Sequence, residues 1–558
     1  MSASQNPPNS APARPLEERL RQGPGEWIPL EEFVPLPRSL EWRLASQYWD
    51  SRGPSAFFGG DVPYAAINDG RLSADTARLL AEIRGPKSHG PVRVLEVGGG
   101  SGLFARLFLD ELRVLTPALY DATTYVWTDA SPAMLQRANA DGVFADHPGK
   151  VRCLLLPVPG MAALGAEAQD GFDLIIANYL LDNLPATVLR LSNNTIEELE
   201  VRVTLRADLD PCRLRGRTAR DWAARAISSN GRDRELVELY PWFSLECRFH
   251  PLDRASLAFG SLIPETVNRR SMQWSHHEVA WTWLRESLPH LRAGGAMLLN
   301  DFGYFPLQDA SRPVPILHFG GSLATGINLD ELSALPRLEP DWQMVAPETD
   351  SRKLQSRWIC RRTDELSSGI FRIIFDGHRR DLVTELLDQA SARAEEGRTE
   401  EARWLYWRAY RHAPRCWHVF ERWASFCQLR LKDYDAAHDL AEQGLRLHSR
   451  HAPLWNVKGD ALFELKRHGE AEICYRRAIE INPPEIRGRL NLAYVHLERG
   501  HHAEALAQLA EALALDTQGD YRDALLEKQR QVLLRLSLDA RDALSQQVNR
   551  FRNLDASD

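Results

Sequence analysis

The sequence predicts an amino-terminal α/β domain, in which helices cover both faces of a mostly parallel sheet, followed by an all-α solenoid. Three observations predict this. Helical and strand-like stretches alternate from about residue 39 to 185, a glycine-rich turn joins an apolar strand to a helix, and a helical pattern repeats after about residue 380. Alternating elements are typical of parallel sheets, and a fixed spacing is typical of stacked repeats.

The composition is that of a globular protein. Of 558 residues, 44% are hydrophobic and 26% charged, and 68 basic against 76 acidic residues give a net charge of −8. We therefore expect no general affinity for nucleic acid or for anionic membranes. The cysteines are scattered singly, so we expect no metal site and a reducing, cytoplasmic location. No apolar run approaches the roughly 18 residues of a membrane span.

The chain is predicted to have several parts that differ in composition. The amino-terminal segment is rich in Pro, Ser and Ala, which favours disorder. The predicted parts are a disordered tail at 1–38, the α/β domain at 39–362 with an insertion around 186–275, a linker at 363–384, and helical repeats with carboxyl-terminal capping helices at 385–550.

Apolar periodicity places the elements of the α/β domain. Spacings of three and four residues indicate helices, and short continuous apolar runs indicate buried strands. The predicted strands are Arg93–Val97, Thr124–Thr128, Phe172–Ala177 and Ala296–Asn300, and the predicted helices are Leu72–Ile83, a helix from Gly102, Pro132–Ala140 and His277–Leu291.

The glycine-rich turn is the most informative segment. An apolar strand ends at Val97, and Gly-Gly-Gly-Ser-Gly at 98–102 leads into an amphipathic helix. Backbone amides in such a turn can approach a ligand closely, with the helix amino terminus facing it. Two motifs fit the segment, namely Glu96-x-Gly98-x-Gly100-x-Gly102 and the dinucleotide fingerprint Gly100-x-Gly102-x-x-Ala105.

A second acid follows the next predicted strand. Asp129 comes directly after Tyr125-Val-Trp-Thr128, and Ser131-Pro132 begins a helix. A carboxylate at this place can accept hydrogen bonds from both hydroxyls of a ribose. The structural alternative is that Asp129 caps the helix.

These segments, followed by Phe172-Asp-Leu-Ile-Ile-Ala-Asn178, resemble in this order the motifs of class I S-adenosylmethionine-dependent methyltransferases, which have a Rossmann-like fold. The resemblance favours methyl transfer over the hydride transfer that the dinucleotide fingerprint would indicate. It implies S-adenosyl-L-methionine as the cofactor. The residues that it implies for cofactor binding are Glu96, Gly98, Gly100, Gly102, Asp129, Ala130 and Asn178.

Further segments between about 45 and 335 resemble the MidA family, whose mitochondrial members are arginine methyltransferases involved in assembling respiratory complex I. That family has a Gly-Asp-Phe loop, an Asn-Glu-x-x-Asp-x-Leu-Pro segment and an Asp-Tyr-Gly segment. The matching residues are Gly60 and Asp61, then Asn178, Asp182, Leu184 and Pro185, then Asp301 and Gly303. The resemblance adds Gly60 and Asp61 to the predicted cofactor-binding residues.

The chain departs from the MidA pattern at two positions, where Tyr179 replaces a glutamate and Phe302 replaces a tyrosine. Carboxylates bind a guanidinium well, so the loss of that glutamate weakens the case for arginine. Asp182 and Asp301 remain as the predicted catalytic residues, because they follow strands whose ends meet at the ligand-binding edge. The alternative is that Asp182 caps the following segment and Asp301 orders the turn to Gly303.

The carboxyl-terminal part carries a repeat. Ala402, Ala437, Ala471 and Ala505 are spaced by 35, 34 and 34 residues, and an aromatic or small residue follows at fixed distances. This pattern, fullest from Trp455 to Pro483, resembles the tetratricopeptide repeat over about 385–518. The resemblance implies a protein or peptide partner for the repeats.

The sequence therefore predicts a methyltransferase that acts on a protein or peptide acceptor, at an arginine or another nitrogen, with repeats that recruit the acceptor or a partner. Two alternatives remain open. One is a non-enzymatic repeat scaffold with a relic methyltransferase fold, and the other is a methyltransferase of small molecules or natural products. The sequence does not predict the oligomeric state or the role of residues 206–234.

Overall fold

The structure is a computed structural model. It describes residues 14–16, 20, 25–53, 57, 69–85, 90–192, 195–211, 214–263, 272–305, 314–319, 321–351, 354–516 and 521–555. The chain divides into two compact units, Met1–Glu385 and Leu386–Asp558. The described strands all lie in the first unit, and the second unit is helical.

The first unit combines strands and helices. Its strands are Arg14–Pro15 (β1), Trp27–Pro29 (β2), Val34–Pro35 (β3), Val92–Val97 (β4), Thr123–Asp129 (β5), Val151–Leu155 (β6), Phe172–Asn178 (β7), Thr187–Ser192 (β8), Thr195–Arg206 (β9), Ser244–Pro251 (β10), Met272–His276 (β11), Leu291–Asp301 (β12), Gly303–Tyr304 (β13), Ile316–Phe319 (β14), Ser322–Thr325 (β15), Ile327–Asn328 (β16), Trp342–Val345 (β17) and Gln355–Arg361 (β18). Its helices are Leu40–Arg52 (α1), Arg71–Arg84 (α2), Leu103–Leu115 (α3), Pro117–Ala122 (α4), Pro132–Ala140 (α5), Ala219–Ser228 (α6), Glu278–Ser287 (α7), Leu329–Leu332 (α8), Leu335–Leu338 (α9), Glu365–Ile374 (α10) and Gly377–Glu395 (α11), whose last turns belong to the second unit.

In the described part of the chain, seven strands form the central sheet in the order β17-β18-β12-β7-β4-β5-β6. The strands from β12 to β6 are parallel, and β18 and β17 are antiparallel at one edge. The chain places β4, β5 and β6 outward to one edge and then returns to add β7 on the other side of β4. Open α/β sheets bind ligands where the strand order reverses, at the carboxyl ends of the strands. This topology points to the ends of β4 and β7.

Helices cover both faces of this sheet, as the sequence predicted. On one face, α2, α3 and α10 pack apolar side chains such as Leu80, Phe108 and Phe371 against the strands. On the other face, α7 and the segment that contains α8 contribute Trp281, Leu284 and Leu332. Helix α5 has the predicted bounds, and β4, β5 and β7 exceed the predicted strands by one or two residues.

The predicted insertion forms a second, antiparallel sheet in the order β10-β9-β8-β11, with β2 and β3 also paired to β9. The polar stretch 206–234 contains helix α6, which begins with a capping box between Thr218 and Asp221. Trp222 of this helix is fully buried against Val203 and Leu205 of β9. One apolar face among polar residues is thus enough to hold this stretch on the second sheet.

Two sequence predictions in the first unit were wrong. Residues 25–38, expected in a disordered tail, are ordered, because β2 and β3 add to the sheet at β9 and Leu36 is fully buried. Prolines are compatible with such short edge strands. Residues 363–384, expected as a linker, are mostly helical. Phe371 of α10 is buried and its ring lies 5.8 Å from that of Trp358 in β18.

The second unit consists of consecutive helices, as the repeat predicted. After α11 they are Thr399–His412 (α12), Trp417–Phe426 (α13), Tyr434–Leu447 (α14), Ala452–Glu464 (α15), His468–Ile481 (α16), Ile486–Glu498 (α17), His502–Leu515 (α18) and Arg522–Asp555 (α19). The four spaced alanines, Ala402, Ala437, Ala471 and Ala505, are completely buried. A π-helical turn at Cys427–Leu431 accommodates the extra residue of the first spacing. Among the described helices, none is long and apolar enough to cross a membrane.

Candidate active site

The glycine-rich turn joins β4 to α3 where the strand order reverses. Gly98, Gly100 and Gly102 have φ angles of 71°, 55° and 73°, a region that side chains rarely adopt. A Cβ atom at Gly100 would lie 2.8 Å from the Phe57 ring, and one at Gly102 would lie 2.9 Å from the Phe144 ring. Both the backbone conformation and the available space therefore require glycine here.

Asp129 lies beside this turn at the end of β5. The backbone N–H of Gly100 donates to its Oδ2 atom at 2.9 Å, and the N–H of Ser131 donates to its Oδ1 atom at 2.9 Å. The side chain that caps α5 is Ser131, which accepts from the N–H of Met134. The capping role that the sequence allowed for Asp129 is thus filled by Ser131.

Glu96 and Asn178, from the adjacent strands β4 and β7, form the floor of the site. Both are buried, and the Asn178 amide donates to Glu96 Oε1 at 3.4 Å while the Tyr125 hydroxyl donates to Oε2 at 3.0 Å. Burial raises the pKa of Glu96 to about 8, with these two hydrogen bonds acting in the opposite direction. Glu96 therefore changes its charge near neutral pH.

Asp182 and Asp301 are brought together, although 118 residues of sequence lie between them. Asp301 Oδ2 accepts from the N–H of Leu181 at 2.8 Å, and its Oδ1 accepts from the N–H of Phe302 at 2.9 Å. Burial, and then the charge of Asp301, raises the pKa of Asp182 well above its usual value, and burial raises the pKa of Asp301 to about 6. Both shifts favour the protonated form, so the two acids favour sharing a proton, and Asp182 is the acid with the stronger upward shift.

Tyr179 and Phe302, the two positions that depart from the MidA pattern, contact each other. Their ring centroids are 4.5 Å apart. Tyr179 is not a glycine but has a φ of 48°, a strained conformation that is common at functional sites. The two departures thus form one aromatic patch next to the carboxyl pair.

These groups surround one cavity of about 610 Å³. Of the predicted residues, the cavity wall includes Glu96, Gly98, Gly100, Asp129, Ala130, Asn178 and Asp182. Among the described residues Gly102 and Asp301 are not part of the wall; Gly102 directly precedes α3, and Asp301 is buried. Gly60 and Asp61 lie outside the described residues.

The sequence did not predict the opposite wall of the cavity. It comes from α1, from Phe57 and from the hairpin β14–β15, and its large side chains are Trp42, Trp49, Phe57, Phe319 and Leu323. The ring centroids of Trp49 and Phe57 are 5.3 Å apart. No motif marks Trp42, Trp49, Phe319 or Leu323. The density of aromatic residues between 42 and 58 was the available signal.

S-adenosyl-L-methionine fits this set of residues. The volume lies in the range of about 300–1,000 Å³ that is usual for small-molecule sites, and the wall is apolar apart from a few placed polar groups. Asp129 would hold the ribose hydroxyls, and the glycine amides with Glu96 would face the methionine part. Bulkier residues at Gly98 or Gly100 would displace Leu180 or Phe57, so the glycines keep the cradle open.

Comparison with known proteins supports the same cofactor. Residues 76–324 match the family model described as "Putative S-adenosyl-L-methionine-dependent methyltransferase", and residues 428–486 match a tetratricopeptide repeat model. The finer assignment to MidA remains a prediction.

Individual relatives match only parts of the chain. The peroxisomal targeting signal receptor of Saccharomyces cerevisiae is 30% identical over 129 residues, which is 21% of this chain and 21% of the receptor. A Burkholderia thailandensis crystal structure superposes with a TM-score of 0.40 at 15% identity over 60% of this chain and 90% of its own. A second structure from that organism, bound to S-adenosyl-homocysteine, has a TM-score of 0.37 at 14% identity over 61% and 97%.

Both TM-scores are below 0.5, so the family assignment depends on the sequence match and on the glycine cradle. Residues 76–324 of the first unit thus match the S-adenosyl-L-methionine-dependent methyltransferase family, and residues 428–486 of the second unit match the tetratricopeptide repeat family.

Proposed function

We propose that the chain transfers a methyl group to a nitrogen of a protein or peptide acceptor. The observation that carries this proposal is the position of Asp182, which lines the same cavity as the glycine turn and Asp129. A carboxyl group that is paired with a second acid, Asp301, thus lies in the wall of the cavity that fits the cofactor. The tetratricopeptide repeats of the same chain support a macromolecular acceptor, because such repeats commonly bind peptides.

S-adenosyl-L-methionine supplies an electrophilic methyl group on a sulfonium. Methyl transfer is an in-line displacement, so positioning of the acceptor provides most of the rate. A nitrogen acceptor must also release a proton. Asp182 would orient the nitrogen and accept this proton while passing its own to Asp301, whose pKa of about 6 suits a proton acceptor near neutral pH.

Arginine is the acceptor that the MidA resemblance implies, and we keep it as the first nitrogen to test. An ionised carboxylate of the Asp182 and Asp301 pair would attract a guanidinium. Neither acid offers two unoccupied oxygens, because Asp301 is held by backbone N–H groups and Asp182 Oδ1 accepts from the Asn183 amide at 2.6 Å. A bidentate contact with arginine would therefore require rearrangement.

The direct test uses labelled S-adenosyl-L-methionine, a protein lysate and mass spectrometry. We expect label on a nitrogen of one or a few proteins with the wild-type chain and none with Asp182→Asn at the same time point. Label confined to small molecules would contradict a protein acceptor. Calorimetry with the cofactor completes the test, since a chain that fails to bind it would be a scaffold rather than an enzyme.

The role of the repeats in recruitment needs a separate comparison. A shortened chain should keep residues up to Gly397, because Arg380 belongs to the first unit and α11 extends to Glu395. We expect this chain to methylate a short acceptor peptide at the full rate and the intact acceptor protein less efficiently. Equal efficiency on the intact protein would contradict recruitment by the repeats.

A further inference from the structure

A row of hydrogen-bonded side chains crosses the central sheet beneath the cavity. Its members come one from each of five neighbouring strands, on the sheet face that packs against α2 and α3. Ser356 Oγ lies 2.6 Å from Asn300 Oδ1, Asn300 Nδ2 lies 2.8 Å from Asn178 Oδ1, and Asn178 Nδ2 lies 3.4 Å from Glu96 Oε1. Tyr125 closes the row at the far side of Glu96.

The other end of the row is anchored by Arg380, a cation whose side chain is 10% exposed. Arg380 Nη1 donates to Ser356 Oγ at 2.8 Å, and its Nε donates to Asp75 Oδ2 at 3.3 Å. Its guanidinium also lies 4.2 Å from the centre of the Phe375 ring. These contacts hold Arg380 in one orientation.

The hydrogen bonds of the row all run in one direction, from Arg380 to Glu96. A guanidinium can donate but cannot accept. Ser356 therefore accepts from Arg380, and in the structure it donates its own proton to Asn300 Oδ1 while the Asn300 amide N–H donates to Asn178 Oδ1. Asn178 then has its carbonyl occupied and presents its N–H to Glu96. The Asn178 amide at the cavity is thus linked through Asn300 and Ser356 to Arg380, three side chains away.

A row of this kind is unfavourable for the stability of the fold if its role is purely structural. Ser356, Asn300, Asn178 and Glu96 are all at most 8% exposed. Burial of polar groups and of a cation lowers stability unless every partner is satisfied, and an apolar core of the same volume is often at least as stable. The row ends at two groups of the cavity wall, which indicates a role in the site.

We infer that Arg380, Ser356 and Asn300 are positioning residues that fix the Asn178 amide with its N–H toward Glu96 and so prepare the cavity floor for S-adenosyl-L-methionine. This inference rests on the proposed function, because it concerns the cofactor part of the same cavity. The groups that act on the Glu96 carboxyl from the surrounding strands are Tyr125, Asn178 and Asp129.

The test measures cofactor affinity of the full chain by calorimetry between pH 6 and pH 9. Ser356→Ala leaves Asn300 without its donor, and we expect the Kd for S-adenosyl-L-methionine to rise about five-fold. With the Asn178 amide free to turn, Glu96 loses a donor, so the rise of affinity with pH should move to higher pH. Ser356→Thr keeps a hydroxyl and should restore both properties.

The matched control is Ser287→Ala, which removes another buried hydroxyl of the first unit. Ser287 Oγ donates to the backbone carbonyl of Trp283 at 2.8 Å in α7, on the other face of the sheet. We expect an unchanged Kd and an unchanged pH profile. Arg380→Lys is the second row variant, because lysine cannot hold Ser356 and Asp75 with one planar group, and it should weaken binding in the same direction.

Two outcomes would overturn the inference. If Ser356→Ala and Arg380→Lys lower the melting temperature but leave the Kd and its pH profile as in the wild type, the row is structural. If the wild-type chain itself does not bind the cofactor, the proposed function fails and the inference fails with it. Wild-type binding measured in the same series separates the two cases.

Discussion

Glu96 has an unusual environment for an acid, since it is buried between Tyr125 and Asn178. Its pKa of about 8 means that the folded chain keeps a proton between about pH 4.5 and pH 8 that the unfolded chain releases. Through Glu96, stability therefore decreases as pH rises across this window. A cationic cofactor has the opposite preference, because it favours the ionised carboxylate.

We predict that the affinity for S-adenosyl-L-methionine rises with pH up to about 8 and then levels off, since binding must displace the proton of Glu96. If the cofactor lowers this pKa by about one unit, the affinity changes about tenfold across the window. Calorimetry at a series of pH values measures this. Glu96→Gln should give a flat profile over the same range, and a variant profile as steep as the wild type would assign the titration to another group.

Asp182 and Asp301 are expected to have different effects. Asp182→Asn should leave the cofactor Kd within about two-fold and reduce turnover by about 100-fold, the usual size of a lost acid–base group. Asp301→Asn should in addition lower the melting temperature, because Asp301 accepts hydrogen bonds from the backbone N–H groups of Leu181 and Phe302. Unchanged turnover of Asp182→Asn would remove Asp182 from the active site.

At the scale of residues, the sequence predicted most of the polar residues at the cavity but not the different roles of Asp182 and Asp301. Glu96 and Asp129 followed from their positions after apolar strands. Asp182 and Asp301 were equivalent in sequence, since each follows a strand, and the difference between them depends on which carboxyl receives the backbone N–H groups. The pairing of Asn178 with Asn300 depends on strand order, which local sequence does not encode.

At the scale of elements, the glycine turn contains one glycine, Gly99, that is not among the defined positions of the motif. Gly99 contacts the buried side chain of Trp127 in β5, and a Cβ atom at Gly99 would lie 2.0 Å from Trp127 Nε1. We predict that Gly99→Ala destabilises the first unit by about 2 kcal/mol and weakens cofactor binding, because the turn must shift away from β5. Denaturant unfolding and calorimetry measure these effects.

The control for this substitution is Gly369→Ala in α10. A Cβ atom at Gly369 has no neighbour within 4 Å among the described residues, and alanine favours a helix. We expect unchanged or slightly higher stability and unchanged cofactor binding. A neutral Gly99→Ala would show that the turn can move freely relative to Trp127.

Local patterns predicted the elements of the central sheet because each is a continuous apolar or periodic run. They did not predict β2 and β3, whose assignment depends on pairing with β9 far along the chain. Helix α10 was overlooked although Phe371 and Ile374 are spaced for one buried face. The one-residue irregularity of the repeat had a local cause, the π-helical turn at Cys427–Leu431.

At the scale of the whole molecule, the chain joins a methyltransferase unit to a repeat unit, each with its own buried core. The sequence predicted this organisation because the two parts have different periodicities. It placed the end of the first part too early, since Arg380 and Thr384 both contact Arg71 of α2. Those contacts join positions more than 300 residues apart, which no local pattern reveals.

Separate cores predict separate responses to substitution. A Cβ atom at Gly459 in α15 would lie 2.7 Å from the Tyr475 ring in α16, whereas one at Gly469 in α16 has no neighbour within 4 Å among the described residues. We predict that Gly459→Ala destabilises the repeat unit by about 2 kcal/mol, that Gly469→Ala does not, and that both keep the wild-type Kd for S-adenosyl-L-methionine.

Calorimetric unfolding with and without the cofactor measures the stability of each unit, because the ligand should raise the melting temperature of only the unit that binds it. A weaker cofactor affinity in Gly459→Ala alone would mean that packing within the repeats influences the cavity, and the two units would then have to be treated as one cooperative system.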